Sequence, residues 1–151
     1  MAGSVSYVIV FTPASWQQFK AAGANTAGFP DRAMSRAAKI APKDTLLCYL
    51  VDGGGWIAAL RVVGAAYWVA EPSIWPQGAF PVRVPVEVLV ELPTQRAVRP
   101  SEVIDLLPRL WKANLKQGGA WAAFVRGTPR RWPDDEARTL LDAIYRKANA
   151  E

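Results

Sequence analysis

Histidine is missing from the 151 residues altogether, and cysteine occurs once, at Cys48. Without imidazole there can be no Ser/His/Asp or Cys/His triad and no metal site built on histidine, and one thiol cannot form a thiolate metal site. Cys48 lies within the apolar run LLCYLV and reads as a reduced core residue, not a nucleophile. No run approaches the roughly 18 apolar residues of a membrane helix, and no low-complexity segment suggests disorder. The first nineteen residues carry no charged side chain, yet they lack a basic leader and include Ser, Thr, Pro and two Gln, so they do not read as a secretion signal. A cytoplasmic protein with no membrane association is expected. Acids are absent from Leu106 to Pro133, where Arg109, Lys112, Lys116, Arg126, Arg130 and Arg131 stand alone, and the net charge is +5. A local excess of that kind favours a polyanionic partner.

What is present is apolar and rich in indole. The 51% apolar fraction suits one globular domain over residues 1–151, which buries roughly 70% of the surface its unfolded form exposes. Seven Trp exceed what packing a chain of this size needs. Tyr7 to Phe11 reads as a first buried strand, and Thr12 with Pro13 then caps a helix over Ala14 to Ala22, with Trp16 and Phe19 on one face. Asn25 to Pro30 reads as a loop holding Phe29 between Gly28 and Pro30. Asp31 then caps a short helix reaching about Ile40, with Ala33, Ala37 and Ile40 on its apolar face and Arg32, Arg36 and Lys39 as a basic stripe. That stripe is either a solvated face or a set of phosphate contacts.

Thr45 to Val51 and Trp56 to Val63 are apolar strands joined by a Gly-rich hairpin turn, which is no phosphate loop because a strand follows it. Val82, Val84, Val86, Val88, Val90 and Leu92 alternate through one long strand with a single buried face. Arg83, Glu87 and Glu91 then share the opposite face, and a structural role is expected of Arg83. Before this strand, Trp75 sits between Ile74 and Pro76 on a stiff loop, where it either plugs a barrel or stacks on a flat ligand. A helix follows Pro100, a short strand spans Trp121 to Val125, and Arg126 to Arg131 form a basic turn. The last helix opens on Pro133, Asp134, Asp135 and Glu136, acids that suit the positive end of its dipole.

The strand into Phe11 to Trp16, Gly28–Phe29–Pro30 before a basic helix, Ser73 to Arg83, and WAAFVRGTPR from Trp121 resemble, in order and spacing, the EVE domain family. That family belongs to the PUA-like superfamily and is related to the YTH readers of methylated adenine in RNA. The resemblance covers nearly the whole chain. It implies an α+β, PUA-like small mixed β-barrel flanked by helices, with a pocket for one base, no cofactor, no metal and no catalytic step.

Carried onto this sequence, the resemblance makes Trp75, followed by Pro76, one aromatic wall, and Phe29, followed by Pro30, the other. Thr12, Ser15 and Gln17 would meet the base edge, since Pro13 and Ala14 stand where polar residues are expected. Arg32, Arg36 and Lys39, with Arg126, Arg130 and Arg131, would hold the backbone of a DNA or RNA strand carrying a modified base. The protein is expected to act as a monomer. Two other classes remain: a hydrolase of the ASCH type using Glu71, Lys43 and Asp44, and a protein interaction domain presenting Trp68, Trp75, Trp111 or Trp132.

Overall fold

The computed structural model of the chain describes residues 4–51, 55–69, 80–107 and 129–150. The described strands are β1 (Ser6–Phe11), β2 (Thr26–Phe29), β3 (Thr45–Leu50), β4 (Gly55–Val62), β5 (Tyr67–Trp68), β6 (Val82–Glu91) and β7 (Arg130–Trp132). Helices α1 (Pro13–Ala21), α2 (Met34–Ala37), α3 (Pro100–Val103) and α4 (Asp134–Asn149) accompany them, with single 3-10 turns at Asp31–Ala33, Thr94–Arg96 and Ile104–Leu106. Two of these elements correct the sequence expectations. Thr26–Phe29 is a strand on β6, not a loop, and Arg130–Trp132 is a strand antiparallel to β1, not a turn. The strand expected at Trp121 to Val125 lies outside the described residues. Among the described residues no helix is long and apolar enough to cross a membrane.

The strands form one mixed sheet in the order β2-β6-β4-β3-β1-β7, with β1 and β3 parallel and β5 added to β6. This sheet is curled into a half-barrel, giving an α+β fold. Its register shows why it curls. Ser6 is level with Thr45, Thr45 with Arg61 and Arg61 with Glu87, whereas Phe29 pairs with Val82, further back along β6. A flat sheet would hold Phe11 and Phe29 roughly 30 Å apart, at about 3.3 Å per residue of stagger. Stagger of this kind is what closing a sheet requires, and Phe11 and Phe29 instead share one apolar cluster with Trp16, Phe19, Ala33, Ala37 and Ile40 from α1 and α2.

Bulges sharpen the curl and decide which face each side chain takes. On β6 Ala59 pairs with Val90 and Leu60 with Val88, so Leu89 is an extra residue. The valine alternation therefore does not keep one buried face. Val82, Val84 and Val86 belong to the inner cluster, Val88 is exposed, and Val90 and Leu92 belong to a second cluster under α3 and α4. Glu91, expected beside Arg83 and Glu87, is carried to the inner side, where Lys20 of α1 bonds it. A similar slip between Cys48 and Tyr49 leaves Ile57 extra on β4. It turns Trp56 outward, edge-on to Tyr49 at 5.0 Å and to Trp132 at 6.2 Å.

Helix chemistry follows the residues. Thr12 accepts from the N–H of Ser15 while the Ser15 hydroxyl accepts from the N–H of Thr12, a reciprocal cap that starts α1 after β1. α4 carries three acids in its first turn and Arg146 and Lys147 in its last, and buries Ala137, Leu140 and Ile144 against the outer cluster. Arg96 donates to the carbonyls of Lys147 and Ala150, which no further helical turn can satisfy.

Glu102 of α3 accepts from Lys147 of α4 at 2.6 Å and from the N–H of Arg99 at 2.9 Å. Partial burial works to raise the pKa of its carboxyl, but the bonds and charges of Lys147 and Arg99 outweigh it and hold the value below the ordinary one. A folded-state pKa below the unfolded one adds stability above the unfolded pKa of about 4.3, and that stability is lost as pH falls through the folded value. Glu102→Gln should therefore melt below the parent by no more than a few degrees at pH 7, because the pair is partly exposed. The gap should close towards pH 3. Melting curves showing the same gap at both pH values would remove the pair from the acid response.

Candidate nucleic-acid interface

Pro30 ends β2, because it offers no N–H to a ladder and holds its own φ near that of a turn. Phe29 is thus the last residue of the strand, opposite Val82, and Val82 is opposite Trp68 on its other side. Directly paired residues share a face, so Phe29, Val82 and Trp68 make one row on the inner side of the sheet. The row runs from core to solvent. Phe29 and Val82 are buried in the inner cluster, while Trp68 is 54% exposed. Its indole Nε1 donates to Oδ1 of Asp31 at 3.0 Å. Asp31 was expected to cap the following helix; the cap position belongs to Pro30 and no side chain bonds there, because this carboxylate is turned to the indole.

The basic stripe has the expected apolar backing, with Ala33, Ala37 and Ile40 buried. Arg32 and Lys39 are exposed, whereas Arg36 is half-buried, its Nε lacking a hydrogen-bond partner among the described residues. At the far end of the stripe, Tyr7 donates its hydroxyl to the carbonyl of Lys39 at 3.3 Å. Arg131 is the cross-strand partner of Tyr7. Burial pushes the Tyr7 phenol up, the Asp44 carboxylate adds to this, and the Arg131 charge pulls it down. Tyr7 therefore touches the segment after α2 through the Lys39 carbonyl and pairs with Arg131 of β7, two basic segments remote in sequence. Arg130, beside Arg131 on β7, is exposed and pairs with Val8.

Asp44 is buried and both its oxygens are engaged, accepting from the N–H groups of Val5 and Ala41 at 2.9 Å each. Lys43 beside it has a left-handed backbone, φ 80°. These are the constraints of a tight entry into β3, and they leave Asp44 no free oxygen for acid–base work. Cys48 is fully buried, and that burial pushes its thiol far up, away from thiolate chemistry.

On α1, Thr12 and Ser15 spend their hydroxyls chiefly on each other's backbone, and Gln17 is exposed. The residue missed in the sequence is Gln18, which is half-buried with its Oε1 lacking a hydrogen-bond partner among the described residues. It lies three residues after Ser15, on the same side of the helix, and no feature of the sequence distinguishes it from Gln17. Arg83 is 9% exposed and donates from Nε to the carbonyl of Phe80 at 3.2 Å, with Nη2 buried and unpartnered among the described residues. It ties the start of β6 to the residues leading into it. Trp75, Pro76, Glu71, Trp111 and Arg126 lie outside the described residues.

No family model matches the chain, and no curated protein matches it. Solved structures do match. The NMR structure of Rpa0253 from Rhodopseudomonas palustris aligns at a TM-score of 0.62 and 18% identity, covering 93% of each chain. A YTH domain-containing protein, mmi1, solved as an RNA complex, aligns at 0.64 and 11% identity over 94% of this chain and 82% of that one. The YTH domain of the Zygosaccharomyces rouxii MRB1 protein, in complex with N6-methyladenosine RNA, aligns at 0.61 and 14% identity over 98% and 87%. At these identities the likeness shows the fold, which is α+β and is shared with YTH domains.

Proposed function

We propose that the protein is a non-catalytic nucleic-acid-binding module of the EVE type, which takes one modified, most simply methylated, base from an RNA or DNA strand into an aromatic pocket. The observation that carries this reading is the Tyr7 corner, where Tyr7 bonds the backbone of Lys39, the last residue of the basic stripe, and pairs with Arg131 of β7, in a fold shared with YTH domains solved with RNA. Phe29 with Pro30 and Trp75 with Pro76 supply the walls. Gln17 and Gln18 face the base edge with their amides, and Thr12 and Ser15 would meet it while keeping their bonds in the cap of α1. A buried amide oxygen left unpaired costs about 1–3 kcal/mol, so a donor on the base that meets Gln18 recovers that cost. Arg32, Arg36, Lys39, Arg126, Arg130 and Arg131 hold the strand.

Stacking contributes roughly 1–3 kcal/mol per base and one buried methyl only about 0.8, so phosphate contacts must supply much of the affinity. The hydrolytic alternative is weakened by Asp44, whose oxygens already hold backbone N–H groups. The test is a titration of modified and unmodified oligonucleotides, single and double stranded, at two salt concentrations, on the parent and on Trp75→Ala. The parent should bind one modified base in preference, and Trp75→Ala should lose the preference while melting like the parent. Equal binding of every oligonucleotide by the parent, or turnover of a modified nucleoside, would sink the reading.

A further inference from the structure

Resting on the reading above, we infer that Trp68, held by Asp31, is a second stacking platform that takes the nucleotide next to the one in the pocket. Trp68 continues the row of Phe29 and Val82 out of the core, yet more than half of its surface faces solvent. The exposed part of so large a ring gains nothing from burial, so packing accounts for only part of its placement. It is nonetheless fixed. The backbone of β5 is paired to β6, and the indole edge is tied to Asp31 at 3.0 Å, so the ring is oriented before any ligand arrives.

The surroundings select the occupant. Asp31, which holds the indole, is followed in the chain by exposed Arg32, the first residue of the basic stripe, so the element that fixes the flat ring also carries a cation. A nucleotide has that combination, a π-face above and a phosphate at one side, whereas an apolar protein surface would be met by a broader apolar patch. Tyr67, the other aromatic of β5, points to the opposite face of the sheet and serves as a control. Asp31 acts here as a positioning residue.

The experiment measures binding of a single-stranded hexanucleotide containing the modified base, and of the free modified nucleoside, to six proteins. These are the parent, Trp68→Ala, Trp68→Phe, Asp31→Ala, Asp31→Asn and Tyr67→Ala. Trp68→Ala should weaken the hexanucleotide about five- to hundredfold and leave the nucleoside unchanged. Trp68→Phe should keep most of the affinity. Asp31→Ala should lose part of it and Asp31→Asn, which still offers an acceptor, should restore it. Tyr67→Ala should bind as the parent does.

Unchanged hexanucleotide binding by Trp68→Ala overturns the platform and leaves the pocket standing. An equal loss on nucleoside and hexanucleotide also overturns it, because Trp68 is then a wall of the pocket. Self-association of the parent that Trp68→Ala abolishes, with nucleotide affinity unchanged, assigns the ring to a second copy instead. A parent that binds no oligonucleotide at all removes the reading on which the platform rests, and the platform with it.

Discussion

Phe29→Ala should lower the free energy of unfolding by about 3–5 kcal/mol, the usual cost of emptying a core site of a benzyl group. Phe29 is 4% exposed and packed among Ala27, Val82 and the buried faces of α1 and α2, so the cavity has few neighbours free to collapse into it. For a domain whose total stability is about 5–15 kcal/mol, the variant is left marginal. Binding lost in Phe29→Ala therefore says little about a base wall, although the sequence placed Phe29 in a loop. Phe29→Leu separates the two roles. It keeps most of the volume, at a cost below about 1.5 kcal/mol, but offers no ring to stack on. Urea unfolding gives the stability and the oligonucleotide titration gives the affinity. A Phe29→Ala midpoint close to the parent's would contradict the core placement, and a Phe29→Leu variant that binds like the parent would remove Phe29 from the pocket.

The elements legible in the sequence are those specified by neighbours in the chain. Thr12 and Pro13 before Trp16 and Phe19 announce α1, and the spacing of Ala33, Ala37 and Ile40 announces a buried side, although the helix expected from Asp31 to about Ile40 is a 3-10 turn followed by α2 over Met34–Ala37 alone. The apolar positions Ala137, Leu140 and Ile144 do the same for α4. Spacing of this kind is a local property, and the burial it predicts is found.

What was not legible depends on partners distant in the chain. Thr26–Phe29 carries turn residues, Asn25 and Gly28, and becomes a strand because Val82 to Pro85 present a ladder to it. Arg126 to Arg131 read as a basic turn, yet Arg130 to Trp132 pair with Val8 to Ser6 at the other end of the sequence. The valines of β6 alternate without a break, and only the register against β4 shows that Leu89 is extra, so the burial pattern beyond it changes sides. The site follows the same division. Arg32, Arg36 and Lys39 were visible as a stripe, but the bond of Asp31 to Trp68 spans 37 residues and the Tyr7 corner draws on three separate segments. No window along the chain contains either.

The Tyr7 corner also changes which variant should have the larger effect on affinity. The sequence offered the basic stripe and the C-terminal arginines as two sets holding one backbone, with nothing to say how they are related in space. Because the Lys39 carbonyl accepts from Tyr7 and Arg131 is paired with Tyr7 across the strands, we propose that the two sets serve one backbone as a single track. Arg36 is a poor residue to test, because its half-buried guanidinium is part of the packing and its loss would mix stability with binding. Arg32, Lys39 and Arg131 are exposed, and glutamine at each keeps the length of the chain while removing the charge. Each phosphate contact on a single strand contributes about 0.7 to the slope of log affinity against log salt, so the triple variant should flatten that slope by about 2. Every oligonucleotide should weaken alike and the ratio of modified to unmodified binding should stay as it is, because phosphates carry no base information. Lys39→Gln and Arg131→Gln, combined, should change the slope by less than the sum of the two single changes if both cations meet the same phosphate. Titrations of the singles, the pair and the triple at 50 and 200 mM salt decide the matter. A slope that does not move in the triple variant means the track is only solvated, and a changed base preference means that one of these cations reads the base.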